Sequence, residues 1–324
     1  MAGVSMARAL NQALRDAMRE QGDVVVYGED VGRLGGVFRV TDGLQQEFGA
    51  ERCFDSPAAE SAIVGTALGM AMYGLRPVVE IQFDGFAYPA LDQLISHVAK
   101  YRNRTRGAVG LPLVVRIPYG GGIGAVEHHS ESPEAIFSHI AGLTVVTPGT
   151  PADAYSLLRA AIAHPDPVIF LEPKRRYWMT QEVALPVTTE PMTRAVVRRP
   201  GVTATVIAYG PMVSTALEAA EAATEEGWDL EVVDVRSLSP LDGGTLADSV
   251  RRTHRAVVVH EASRLGGFGA EIAAQLSEAL FGELAAPVLR VTGWDVPYPP
   301  AKIERHFLPD ADRILDAVAR TLRY

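Results

Sequence analysis

Three kinds of side chain in this sequence stand where they could do chemistry. Glu60 opens an almost wholly apolar helix, expected over 61–73, that carries Gly65 and Gly69. A carboxylate beside apolar packing loses hydration, and its proton affinity becomes adjustable. Taken alone, Glu60 equally fits a solvated first-turn residue favoured by the helix dipole. Downstream, a strand over 77–83 runs into an aromatic turn with Phe83, Phe86 and Tyr88. Such rings offer flat apolar faces to a planar ligand. Last, the glycine-rich stretch 118–133 contains His128 and His129. Imidazole titrates near neutrality, so a loop-end histidine suits proton donation. A plain surface histidine is the alternative reading.

Other motifs narrow the chemistry by their absence. There is no Walker loop, and Gly120–Gly124 follows a strand without opening a helix as a dinucleotide fingerprint does. Gly266–Gly269 does open a helix after a strand and could form an anion nest. His128 and His129 are adjacent, so they cannot share a helical face, and no HExxH spacing exists for a catalytic zinc. The serine-hydrolase elbow is missing, and the lone Cys53 has no histidine near it in sequence. An enzyme built this way takes its hard chemistry from a cofactor.

The elements that must position these residues alternate. Ser5 reads as the cap of a helix with apolar Met6, Ala9, Leu10, Ala13, Leu14 and Ala17 at helical spacing. Residues 23–27 read as a buried strand ending in a glycine loop at Gly28–Gly32. Strands follow over 77–83, 112–117 and 167–171, with helices over 89–104 and 151–163. Continuous apolar strands between helices indicate a parallel sheet covered on both faces. Residues 173–200 are rich in Pro, Thr, Arg and Glu and read as irregular. The pattern then restarts, with strands over 203–209, 230–234, 256–260 and 288–292 and helices between and after them. The expectation is α/β: two parallel-sheet, three-layer domains over 1–180 and 201–324, joined by a linker at 181–200.

Bulk properties agree. A chain of 324 residues exceeds one ordinary core. A net charge of −9 argues against nucleic acid as a partner, because no basic excess is present to displace counterions. The cationic run Lys100–Arg106 reads as a solvated helix end. One cysteine rules out an intrachain disulfide and a thiolate cluster and fits a reducing compartment. No basic segment followed by an apolar core opens the chain, so the expected location is cytoplasmic. The apolar run 62–75 is short for a membrane span.

The segments FDSPAAESAIVGTALGMAMYGLRPVVEIQFDGFAYPALDQ, RIPYGGGIGAVEHHSESPEAIFSH, VVTPGTPADAYSLLRAAI and DPVIFLEPKRRY resemble the β subunit of the decarboxylating component of 2-oxo acid dehydrogenase complexes. So do VIAYGPMVSTALEAA, EVVDVRSLSPLD, VVHEASRLGGFGAEIAA and VTGWDVPYPPAKIE. EIQF, HHSESPEA and LEPKRRY look most like the branched-chain 2-oxo acid (2-oxoisovalerate) members. The resemblance implies a transketolase-like pyrimidine-binding domain followed by a transketolase C-terminal-like domain. It implies thiamine diphosphate shared with an α subunit, which also holds magnesium, in an α2β2 heterotetramer. The GDG…N motif of that α subunit is absent here. The implied reaction is oxidative decarboxylation of a branched-chain 2-oxo acid such as 3-methyl-2-oxobutanoate through the cofactor ylide. The acyl group then passes to the lipoyl arm of an acyltransferase.

Position by position, the resemblance makes Glu60 the glutamate that hydrogen-bonds the aminopyrimidine and activates the cofactor. Phe86 becomes the aromatic stacked on the pyrimidine, Gln82 a neighbour of that ring, and His129 the acid or orienting donor during acyl transfer. His128 stands where other members vary. Backbone positions Leu113, Ala161, Ile162, His164 and Asp166 match a potassium site, with His164 and Asp166 replacing the usual Asp and Asn. The second domain, on this reading, serves assembly and docking. The competing readings are a pyruvate or acetoin dehydrogenase β subunit and a non-catalytic assembly module.

Overall fold

The Ser5 hydroxyl accepts the Arg8 amide at 3.3 Å, which starts the first long helix (α1, Met6–Glu20) where the capping pattern places it. The computed structural model describes residues 3–188 and 191–324. Residues 1 and 2 of the expected first domain and 189 and 190 of the expected linker lie outside the described residues.

Two units cluster along the chain. The first comprises the described residues of Met1–Tyr119 and Ile136–Met192, and the second those of Gly120–Ala135 and Thr193–Tyr324. In the first, strands β1 (Val24–Gly28), β2 (Cys53–Asp55), β3 (Arg76–Glu80), β4 (Val114–Tyr119), β5 (Thr144–Val146) and β6 (Val168–Pro173) lie in the order β5-β6-β4-β3-β1-β2. Every one of these pairings is parallel. Helices α2 (Glu60–Met72) and α3 (Pro151–Ala163) belong to this unit. Pro151 sits in the first turn of α3, where its missing N–H costs no intrahelical bond, and the Thr150 hydroxyl accepts the Asp153 amide. Met6, Leu10, Leu14 and Met18 of α1 pack in one buried cluster with Tyr155, Leu158 and Ile162 of α3 and with Val24, Val78, Val114 and Phe170 of the sheet. Each such fully buried side chain contributes about 1.5–3 kcal/mol.

The second unit holds β7 (Val196–Arg199), β8 (Ala204–Ala208), β9 (Leu230–Asp234), β10 (Ala256–Ser263) and β11 (Leu289–Gly293) in the order β11-β10-β8-β9-β7. β7 is antiparallel to β9; the others are parallel. Helices α4 (Met212–Ala222), α5 (Gly243–Thr253), α6 (Gly269–Ala279) and α7 (Ala311–Thr321) cover the strands. Val206, Val232, Val257 and Val259 meet Met212, Ala216, Ile314 and Val318 in the core.

Three features depart from the sequence-based expectations. The expected helix over 89–104 is a broken run: 3-10 turns at Asp84–Ala90, a π turn at Gln93–His97, then short segments to Arg104. Pro89 lies inside the first of these and has no N–H to give a helix. Val196–Arg199, within the stretch expected to be linker, is the edge strand β7. Residues 120–135, which follow β4 directly, cluster with the second unit. Among the described residues no helix is long and apolar enough to cross a membrane.

Candidate active site

The carboxyl ends of β2, β1 and β3 lie side by side, with Gly28 paired to Asp55 on one flank and Glu80 on the other. In parallel α/β sheets, ligands sit outside the strand carboxyl ends. Three segments leave these ends. Gly28-Glu29-Asp30 follows β1, Glu60 opens α2 after β2, and Gln82–Ala90 follows β3. Direct contacts knit them together. The Glu29 and Glu60 carboxyl groups share a hydrogen bond. Gln82 Nε2 donates to Asp30 Oδ2 at 3.1 Å. The Ser61 hydroxyl donates to the Pro89 carbonyl. Tyr27 of β1 stacks on Phe54 at 4.9 Å and donates its hydroxyl to the Ile63 carbonyl at 2.8 Å, which sets the first turn of α2 against the strand.

Glu60 itself is half-buried; the deeper acid is Glu29, 7 % exposed. Burial pushes the Glu29 carboxyl up to about 7, helped by the charge and hydrogen bond of Glu60 and by the charges of Asp30 and Glu80. Glu29 therefore keeps its proton to a higher pH than an ordinary carboxyl does. Glu29 Oε1 is buried and has no hydrogen-bond partner among the described residues. Glu29 escapes sequence reasoning because nothing local marks it. Its one signal is an acidic pair following a buried strand.

The aromatic turn is anchored from below. Phe83 and Phe86 meet edge-to-face at 6.0 Å, and Phe86 is half-buried. Asp84 forms a fully buried ion pair with Lys174, whose ammonium lies 5.5 Å from the Phe83 ring centre. Beside it runs a second buried network. Arg116 donates to both oxygens of Glu172, at 2.6 and 2.9 Å, and to Glu80 at 2.8 Å; Tyr177 donates to Glu172 at 2.5 Å. Its acids stand on β3 and β6 with the guanidinium on β4 between them. The floor of the site is therefore fixed by charge as well as by packing.

The structure thus brings Glu60, Gln82 and Phe86 to neighbouring strand ends of the first unit. His129 belongs to the 120–135 segment of the second. It closes a 3-10 turn at Glu127–His129, half-exposed, its ring 4.3 Å from that of His128. His129 Nδ1 lies 3.0 Å from the His128 carbonyl. A carbonyl only accepts, so Nδ1 is the donor in this contact.

The five potassium positions lie in the first unit. The donor type suits the ion, but four of the carbonyls are engaged. Leu113 accepts from the Val168 amide, Ala161 from the His164 amide, Ile162 from the Arg76 guanidinium at 2.9 Å, and Asp166 meets His164 Nδ1 at 3.0 Å. Arg102 pairs with the Asp166 carboxylate, and Arg106 lines the same cavity of about 490 Å³. Two guanidinium groups beside it make this a poor cation site. Among the described residues no three His, Cys, Asp or Glu side chains come together as metal ligands.

The glycines at 266–269 have a packing explanation. A Cβ on Gly267 or Gly269 would collide with the His260 ring, which is fully buried beneath them. An anion nest is not needed to account for them.

Residues 2–179 match the model for the transketolase pyrimidine-binding domain, and residues 193–314 the model for the transketolase C-terminal domain. A solved structure described as a split-gene transketolase, inactive β4 tetramer, superposes with a TM-score of 0.81 at 26 % identity, covering 99 % of both chains. The 3-methyl-2-oxobutanoate dehydrogenase subunit β of Mycobacterium tuberculosis is 57 % identical over 99 % of this chain and 92 % of its own length. A pyruvate dehydrogenase E1 component subunit β from Leifsonia xyli is 55 % identical over 98 % of the chain and 95 % of its own. A 2-oxoisovalerate dehydrogenase subunit β from Pseudomonas aeruginosa is 46 % identical over 98 % and 95 %. The chain belongs to the transketolase-like β-subunit family of the 2-oxo acid dehydrogenases.

Proposed function

We propose that this chain is the β half of a branched-chain 2-oxo acid dehydrogenase, acting on substrates such as 3-methyl-2-oxobutanoate and active only with an α subunit in an α2β2 heterotetramer. In this reading a first domain over residues 1–180 binds the pyrimidine of thiamine diphosphate, and the partner holds the diphosphate and magnesium. The observation that carries it is the Glu29–Glu60 carboxyl pair at the strand ends, next to the anchored aromatic turn. The residues fit the group. A carboxyl beside a second, proton-retaining one suits a ring nitrogen, and Phe86 presents an apolar face on an anchored turn.

Bound thiamine diphosphate supplies a nucleophilic carbon for the 2-oxo group and a sink for the electrons left when carbon dioxide departs. This chain's own residues do the rest of the positioning. Glu60, hydrogen-bonded to Glu29, holds a proton at the pyrimidine N1′. Phe86 packs against the ring and excludes water. Gln82, oriented by Asp30, borders it. His129 gives or holds a proton at the acyl group during its transfer to the lipoyl arm of the acyltransferase.

Helix α2 supports the partner. Met72 is 49 % and Tyr73 at its C-cap 90 % exposed, and Ala62 and Gly69 also face outward. An apolar helix left half uncovered calls for a covering chain.

The pyruvate reading is favoured by the 55 % identical relative and by further pyruvate dehydrogenase β subunits at 43–47 % identity. Turnover of 3-methyl-2-oxobutanoate and of pyruvate by the heterotetramer decides between them. The branched-chain reading expects the former to have the higher kcat/KM. A preference for pyruvate overturns the substrate, and activity from this chain alone overturns the shared site.

A further inference from the structure

The amides of Gly121, Gly122 and Gly124, in the loop that carries His129, are held by side chains from the far end of the sequence. Glu261 Oε1 accepts the Gly121 amide. The Gly122 amide reaches Tyr298 Oη at 3.0 Å and Glu304 Oε2 at 3.3 Å, and the Gly124 amide donates to Glu304 Oε1 at 3.1 Å. Tyr298 in turn donates its hydroxyl to Glu304 Oε2 at 3.0 Å, which locks the phenol and the carboxylate to each other. At the other end of the loop, Tyr209 donates to Glu134 Oε1 at 2.8 Å, and both residues are buried. The Gly120 amide closes the base by donating to the Glu131 carbonyl at 2.8 Å.

The glycines are spent on this arrangement. Gly120, Gly122 and Gly124 have φ of +82°, +84° and +71°, a region that side chains resist. A Cβ on Gly121 would fall inside the Tyr298 ring. The amides that a phosphate-cradling loop would turn toward its ligand are already taken by two carboxylates and a phenol. This is a clamp on backbone, and what it fixes is the stretch 121–124, which ends four residues before His128.

We propose that Tyr298 and Glu304, seconded by Glu261, are positioning residues for His129, so that the C-terminal unit sets the geometry of the acyl-transfer step. This goes beyond assembly and docking for that unit, and it rests on the role given to His129 above. His129 follows the clamped stretch 121–124 by five residues on a short 3-10 turn, so its reach depends on how firmly that stretch is held. Hydrogen bonds from amides to a carboxylate are stronger than neutral ones, and losing an acceptor releases two amides at once at Glu304.

The test uses the heterotetramer with Tyr298→Phe, Glu304→Ala and Glu304→Gln. Two rates are read: decarboxylation with an artificial electron acceptor, and reductive acylation of a lipoyl domain. The ratio of acylation to decarboxylation is expected to fall about tenfold or more in Tyr298→Phe and Glu304→Ala. It should recover only in part in Glu304→Gln, whose single carbonyl can accept one of the two amides. Amide hydrogen exchange over 120–131 should quicken in the same two variants. An unchanged ratio overturns the proposal, and so does an equal fall in both rates, which is what a merely structural role would give. His129→Ala separates the two ideas. If that variant leaves the ratio untouched, the role of His129 fails, while loop exchange still reports whether the clamp holds.

Discussion

The strand-end cluster of the first unit and the histidine loop of the second are built by opposite means. Around Glu29, Glu60 and Phe86, charged side chains meet other charged side chains in full burial: Arg116 with Glu80 and Glu172, Lys174 with Asp84. Around His129, side chains hold backbone amides at a partly exposed surface. The first design is rigid and intolerant, since removing one partner strands a buried charge. The second is a set of separable hydrogen bonds that can loosen without unfolding the unit. Acid–base work at a planar ring wants the former. Reaching an incoming acyl carrier wants a loop that is held but not buried.

The largest expected contrast comes from breaking the buried network. Arg116→Met leaves Glu80 and Glu172 facing each other without a cation, and the loss should be about 3–5 kcal/mol of stability, read by chemical unfolding. A loss no greater than that of Tyr298→Phe would mean the two regions are not built differently. Next comes a shared feature. Both regions contain a buried carboxyl with raised proton affinity: Glu29 near 7, and Glu134 pushed up to about 8 by burial and the charge of Glu261, against the lowering effect of Tyr209. An acid whose folded pKa exceeds its unfolded value stabilises fully below the unfolded value, and that stability is lost as pH climbs toward the folded one. Melting temperature should therefore fall between pH 5 and pH 8, and Glu134→Gln should flatten part of that slope. A wild-type slope unchanged by the substitution would remove Glu134 from the account. The smallest effect concerns potassium. With four carbonyls engaged and two guanidinium groups nearby, replacing potassium by sodium should leave the melting temperature where it was. A clear rise specific to potassium would restore the ion.

The alternation of strands and helices was legible because buried parallel strands are continuously apolar and several helices carry caps, as Ser5 and Thr150 do. The edge strand Val196–Arg199 was hidden by its mixed, partly exposed side chains. The clamp on the glycine loop joins residues whose sequence separations reach 182, and no local pattern encodes such contacts. Glu29 was missed for a related reason: its meaning comes from Glu60 across two parallel strands, not from its neighbours. Glu60, Phe86 and His129 were singled out as residue types able to do chemistry, Gln82 came from resemblance alone, and the roles of all four, taken from resemblance, remain the proposal set out above.

One measurement bears most directly on the Glu29–Glu60 pair. Glu60→Gln, assembled with the α subunit and supplied with thiamine diphosphate and magnesium, keeps the shape of the side chain but cannot share a proton as a carboxyl does. Decarboxylation should drop at least about a hundredfold, in the range expected for a lost general acid–base group, while the heterotetramer still forms. Wild-type turnover from that assembled variant would contradict the account.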